Sequence, residues 1–166
     1  MKPNHNINKE ELLQKLISQV EKELAVAIQA ARTAHEDATN EESKPENEYD
    51  TRALEASYVA RGQAKRVADL KEMLFEFKRI KIKNFDDNEP ITATAFIAIE
   101  SEQNKIQNLF FLPLGGGFSV ELDGVKVQVV TPSTPLGQAL LQTKLGDIIQ
   151  VNLGAAVREY EIISVQ

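Results

Sequence analysis

Two long apolar seams separated by a block of acids constrain this chain more than any other feature. The first reads Leu13, Ile17, Val20, Leu24, Ala27 and Ala31, at spacings that alternate between four and three, with Leu12, Leu16 and Ile28 widening it. The second reads Ala53, Ala56, Ala60, Gln63, Val67, Leu70, Leu74 and Phe77 on the same alternation. Side chains three and four apart share one face of an α-helix, so each seam is the buried edge of a helix in coiled-coil contact. No Gly or Pro interrupts residues 8–34. Asn8 is placed to cap the first helix, and Glu10 and Glu11 favour its positive end. Between the seams Asp, Thr, Asn, Ser and Pro45 cluster over residues 36–48, which read as a loop. A second helix is then expected over residues 47–78. Helices of about 30 residues, at ~1.5 Å rise each, make an antiparallel hairpin roughly 45 Å long. Gly62 inside the second helix either permits close approach or is tolerated at a cost of ~1 kcal/mol relative to Ala.

Charge follows the same division. Residues 36–50 hold seven acids (Glu36, Asp37, Glu41, Glu42, Glu46, Glu48 and Asp50) against Lys44 alone, a local charge of −6. Residues 61–83 reverse the sign, with eight bases against three acids. A two-helix rod buries little apolar surface and forms no globular core by itself. It folds back on the rest of the chain, pairs with another copy, or projects its tip. A strongly acidic loop packs poorly, which favours projection. The net charge of −6 excludes general attraction to nucleic acid or an anionic membrane. The absence of Cys excludes disulfides, thiolate metal sites and cysteine nucleophiles, and His5 and His35 are too few for a His-rich metal centre. No apolar run approaches the ~20 residues needed to span a bilayer. Residues 1–6 lack the apolar stretch of a signal peptide, so a cytoplasmic location is expected.

Past the turn-rich residues 85–90 the pattern changes to period two. Residues 91–99, rich in β-branched side chains, and residues 106–113 read as strands. Gly115-Gly116-Gly117 has no Lys-Ser/Thr after it and opens no helix, so it reads as a flexible turn rather than a phosphate cradle. Residues 118–122 and 125–130 flank Asp123-Gly124, the signature of a type I′ hairpin turn. Ser133 or Thr134 caps a short helix over residues 135–143 with Pro135 in its first turn, and strands over 147–153 and 158–165 close the domain. The expected class is α+β: a helical hairpin over residues 1–84, with its acidic tip around 36–50, then an antiparallel β domain with one short helix over 85–166.

Three segments carry a family resemblance. They are Thr131-Pro132-Ser133-Thr134-Pro135-Leu136-Gly137-Gln138-Ala139-Leu140-Leu141, then Lys144-Leu145-Gly146-Asp147-Ile148-Ile149-Gln150-Val151, then Glu159-Tyr160-Glu161-Ile162-Ile163-Ser164-Val165. In this order they resemble the C-terminal domain of the bacterial Gre-type transcription elongation factors (GreA/GreB-like), and the hairpin resembles that family's coiled coil. The resemblance implies an FKBP-like C-terminal domain and a coiled coil that enters the secondary channel of RNA polymerase. It implies that Pro135, Leu136 and Gly137 lie at or near the surface that grips the channel rim. It further implies that tip acids assist the polymerase in cleaving backtracked RNA, so that nascent RNA is met only indirectly. Asp37, Glu41, Glu42 and Glu46 are the candidates. Asp37, Glu41 and Glu46 would share a magnesium ion with the polymerase, and no cofactor is expected on the chain alone. Carboxylates are the hard oxygen ligands such an ion needs. The chain itself would be no enzyme, no membrane partner is implied, and channel entry needs an accessible monomeric hairpin.

The tip departs from the family pattern. The family places its Asp and Glu three residues apart, whereas the residue three after Asp37 is Asn40, and the interval from Asp37 to Tyr49 is longer by five residues. A non-cleaving regulator of the same channel is therefore an alternative. So are a chaperone or prolyl isomerase built on the FKBP-like half, whose pocket needs aromatic walls, and a self-association module in which hairpins pair.

Overall fold

Asn8 starts the first helix as expected. Its side-chain Oδ1 accepts the Glu11 N–H at 3.1 Å, and its carbonyl accepts the Leu12 N–H at 2.9 Å. The computed structural model describes residues 7–41, 44–47, 49 and 51–166. Helix α1 spans Lys9–Thr39 and helix α2 spans Arg52–Arg79. The helix therefore runs through Glu36 and Asp37, which the sequence had assigned to the loop. Glu and Ala sustain helical backbone there, and the Thr39 hydroxyl donates to the His35 carbonyl at 2.9 Å in the last turn. Helix α2 starts five residues later than residue 47. The Asn47 Oδ1 accepts the Tyr49 N–H at 2.9 Å, a local turn that competes with helix, and Thr51 bonds Glu55 through both its carbonyl and its hydroxyl.

The chain divides into two compact units, residues 17–79 and residues 1–16 with 80–166. In the helical unit the seams are the least exposed positions. Val20, Leu70 and Phe77 are buried with Ile17, Ala27 and Ala34, while Leu24, Ala31, Ala60, Gln63, Val67 and Leu74 are half-buried. Two exposed ion pairs cross between the helices, Arg66–Glu23 at 2.8 Å and Lys78–Glu21 at 2.7 Å, each worth up to about 1 kcal/mol.

The other unit is built on six strands: β1 (Phe96–Ser101), β2 (Ile106–Phe111), β3 (Ser119–Leu122), β4 (Val125–Val130), β5 (Ile148–Leu153) and β6 (Ala156–Val165). They form one sheet in the order β3-β4-β2-β1-β6-β5. Four of the five pairings are antiparallel, in keeping with the expected antiparallel β domain, and β2 and β4 run parallel. β4 alternates buried Val125, Val127 and Val129 with exposed residues and sits inside the sheet, which leaves the four-residue β3 at the edge. Asp123 and Gly124 both have positive φ, 53° and 76°, as a type I′ turn requires.

β1 begins at Phe96 rather than residue 91. Ile91 instead exchanges backbone bonds with Gln142 and Thr143, and Thr94 turns the chain with φ of 74°. One face of the sheet packs Ile97, Ile99, Leu109, Ile149, Val151 and Ile162 against Leu140 of helix α3 (Pro135–Leu140). The alternate residues Phe96, Ala98, Phe110, Val127 and Val129 are buried as well, in a unit that includes Leu12, Leu13 and Leu16 of α1. Lys9 is buried in this unit too. Its ammonium donates to the carbonyls of Lys83, of Thr94 at 3.2 Å and of Gln166 at 2.8 Å.

Candidate functional site

The acidic tip is assembled from the end of α1, the start of α2 and the residues between them. Asp37 lies in the last turn of α1 with its side chain exposed. Glu41 follows the helix and pairs with Lys44 at 3.3 Å, where both side chains are largely solvated. Glu46 pairs with Arg52 at 3.5 Å across the entry to α2. Glu42 lies outside the described residues, as do Glu48 and Asp50. The sequence reading had not singled out Arg52, and only the turn at Asn47 brings it beside Glu46.

Exposed pairs of this kind are weak and readily exchanged, so the tip carboxylates are available to a stronger cation. Among the described residues no group of three or more His, Asp or Glu is arranged to hold a metal ion. The described tip residues do not by themselves build the site that magnesium requires, which is several oxygens in near-octahedral array.

The second candidate is the segment leading into α3. Thr134 has extended backbone, and its Oγ accepts the Gly137 N–H at 3.1 Å, capping the helix that Pro135 opens. The same hydroxyl donates to the Thr131 carbonyl at 3.0 Å, and the hydroxyls of Thr131 and Ser133 lie 2.8 Å apart. This turn folds so tightly that a Cβ on Gly137 would lie 1.8 Å from the Thr131 carbonyl oxygen.

Of the three residues expected at or near the surface, only Pro135 is exposed. Leu136 is half-buried and packs against the core, and Gly137 is buried. Gly137 thus shapes the segment rather than presenting a contact. The sequence pattern missed Thr131, which is buried and organises the turn.

Six of the eight bases in the basic run are dispersed along α2, and Lys81 and Lys83 follow it. Arg66 and Lys78 are in ion pairs, and Arg79 lies over the Phe75 ring at 4.8 Å from its centroid. The aromatic residues that an isomerase pocket would need are consumed by the core. Phe85, Phe96, Phe110, Phe111 and Tyr160 are buried, and Phe118 is half-buried.

Comparison with known proteins places this geometry in context. The family model described as transcription elongation factor, GreA/GreB, C-term matches residues 119–166. Among solved structures, the GreA factor homolog 1 (Gfh1) protein of Thermus thermophilus is 16% identical, with 94% of this chain and 93% of that chain covered at a TM-score of 0.37. Gfh1 of Thermus aquaticus is 16% identical over 95% and 93%, with a TM-score of 0.38. A transcription elongation factor GreA/GreB from Nitrosomonas europaea is 19% identical over 58% of this chain and 78% of that one, with a TM-score of 0.37. No curated protein sequence matches the chain.

Proposed function

We propose that this chain is a Gre-type transcription elongation factor, a reading supported by the match of residues 119–166 to the GreA/GreB C-terminal family model. The protein binds RNA polymerase, with the helical hairpin reaching into the secondary channel and the segment around Pro135 meeting the channel rim. What carries this reading is the conjunction in one chain of that module and two helices, of 31 and 28 residues, whose connection is strongly acidic. It also accounts for the cytoplasmic location expected from sequence. Among the described residues no helix is long and apolar enough to cross a membrane.

Once in the channel, the tip brings negative charge to the polymerase active site. Any magnesium ion there is held first by the polymerase, because the described tip residues build no such site. The chain's part is to lend carboxylate oxygens from Asp37, Glu41, Glu42 and Glu46, and it carries no catalytic centre of its own. Bonds from Lys44 to Glu41 and from Arg52 to Glu46 engage two of these acids in the free protein. These exposed pairs exchange readily and do not decide between readings; the lengthened tip favours a second one, a factor that occupies the channel without stimulating cleavage.

Capture of core RNA polymerase on the immobilised chain, followed by a cleavage assay on a stalled backtracked complex, separates the two. Binding with cleavage supports the first reading, and binding without cleavage supports the second. Absence of binding overturns both.

A further inference from the structure

The far edge of the sheet carries a surface that neither the tip nor the Pro135 segment uses. Among the described residues β5 pairs with β6 alone and ends the sheet. Its sequence, Ile-Ile-Gln-Val-Asn-Leu, has no charge and no proline, and Ile148 and Leu153 are 63% and 48% exposed. Edge strands are normally guarded by charge, proline or a bulge against pairing with another chain. This one is not. The Ile162 N–H donates to the Asp147 carbonyl, so the antiparallel alternation turns the backbone groups of Ile149 and Val151 towards β6. Those of Ile148, Gln150 and Asn152 are left on the outer edge.

The adjacent face of the sheet is acidic. The register sets Ile148 beside Glu161, Glu161 beside Glu100, and Glu100 beside Ile106, one row of side chains on one face. Glu159 lies in the next row, where it accepts a bond from the Gln150 amide at 3.2 Å. Like charges directly opposite each other across two strands are destabilising. Among the described residues no Lys or Arg forms an ion pair with Glu100, Glu159 or Glu161.

From these two observations we infer that β5 is a docking edge for a basic, extended polypeptide segment that adds to the sheet as a seventh strand. Main-chain bonds along 148–152 hold it. Its Lys or Arg side chains, spaced two apart, lay their stems over Ile148 and Gln150 and set their charges against Glu161 and Glu159. Charge selects this occupant over the others. A second copy pairing β5 to β5 about a twofold axis normal to the sheet would bring two acidic rows onto one face. Nucleic acid and anionic lipid are repelled outright.

A fluorescein-labelled ten-residue peptide of alternating Arg and Val is the probe, with its Glu/Val counterpart as control. It is titrated into the full chain by fluorescence anisotropy, and amide hydrogen exchange is followed on the complex. Binding of the Arg/Val peptide alone, weakened by salt and protecting amides within 148–152, is the expected result. The double variant Glu159→Gln/Glu161→Gln removes the two charges the peptide is to meet, changes side chains that no described ion pair engages, and should lose about tenfold in affinity. Gln150→Pro removes an outward N–H and the exposed side-chain bond to Glu159, leaves the backbone pairing with β6 in place, and should abolish the protection. Equal binding by the Glu/Val peptide, protection away from β5, affinity unchanged in the double variant, or a β5-dependent dimer in the free chain would overturn the proposal.

Discussion

Gly137 and Lys9 show how single residues hold the β unit together. Gly137 is required by space, since any side chain there would begin within bonding distance of the Thr131 carbonyl oxygen. Gly137→Ala must therefore open the turn that caps α3 and should cost about 3 kcal/mol, read as a lowered denaturation midpoint. Lys9 is buried with its ammonium among three carbonyls and 5.1 Å from the centre of the Phe85 ring. Burial lowers its pKa from 10.5 to about 8, Glu10 opposing and Lys83 reinforcing the shift. The unfolded chain thus binds this proton more tightly than the folded one. Between pH 8 and 10.5 folding is accordingly favoured as pH rises, because the cost of burying the charge disappears. Urea titrations across that window should show the wild type gaining stability relative to Lys9→Met. At neutral pH, Lys9→Met should still be the less stable, by about 1–3 kcal/mol, because it strands three carbonyls.

At the scale of elements, α2 contains a correctable weakness. A Cβ added at Gly62 meets nothing within 4 Å, so of the two roles open to this residue the structure leaves the tolerated one. Gly62→Ala should stabilise the helix by about 1 kcal/mol, measured as an upward shift in the thermal midpoint with unchanged far-ultraviolet dichroism. The β3–β4 hairpin offers the opposite case. Gly124, with φ of 76°, sits in a turn that needs left-handed backbone at two successive positions. Gly124→Val should cost about 1–2 kcal/mol and loosen the edge strand β3 first, seen as faster amide exchange across residues 119–122.

For the whole molecule the decisive question is whether the tip acts on a partner or only solvates a turn. The described acids at the tip are exposed, and their ion pairs are solvated. Replacing Asp37, Glu41, Glu42 and Glu46 together by Ala should leave the melting temperature unchanged or slightly raised, since mutual repulsion falls and Asp37, Glu41 and Glu46 are exposed. The same variant should keep most of its affinity for core RNA polymerase and lose any transcript cleavage. Loss of folding with no transcriptional effect would reduce these acids to a solvated turn. Pro135→Ala combined with Gln138→Glu alters only exposed side chains on α3 and should weaken polymerase capture about tenfold without a matching loss of stability.

Local chemistry was legible in the sequence because its partners lie within four residues of each other. The Asn8 cap, the Thr134-Pro135 helix start and the Asp123-Gly124 turn are of this kind, and all three stand where the pattern put them. The helical seams were legible for a related reason, since a period of three and four encodes one face whatever covers it. A period of two encodes a strand but not its neighbour. That β4 lies beside β2 and parallel to it, with β3 pushed to the edge, is decided by which apolar rows must be buried together. The acidity of the tip was likewise written in the chain, whereas the pairing of Glu46 with Arg52 depends on where α2 starts. The place of Lys9 had no local signal at all. Its three carbonyls come from residues 74, 85 and 157 positions away, and only tertiary structure brings such distant groups around one charge.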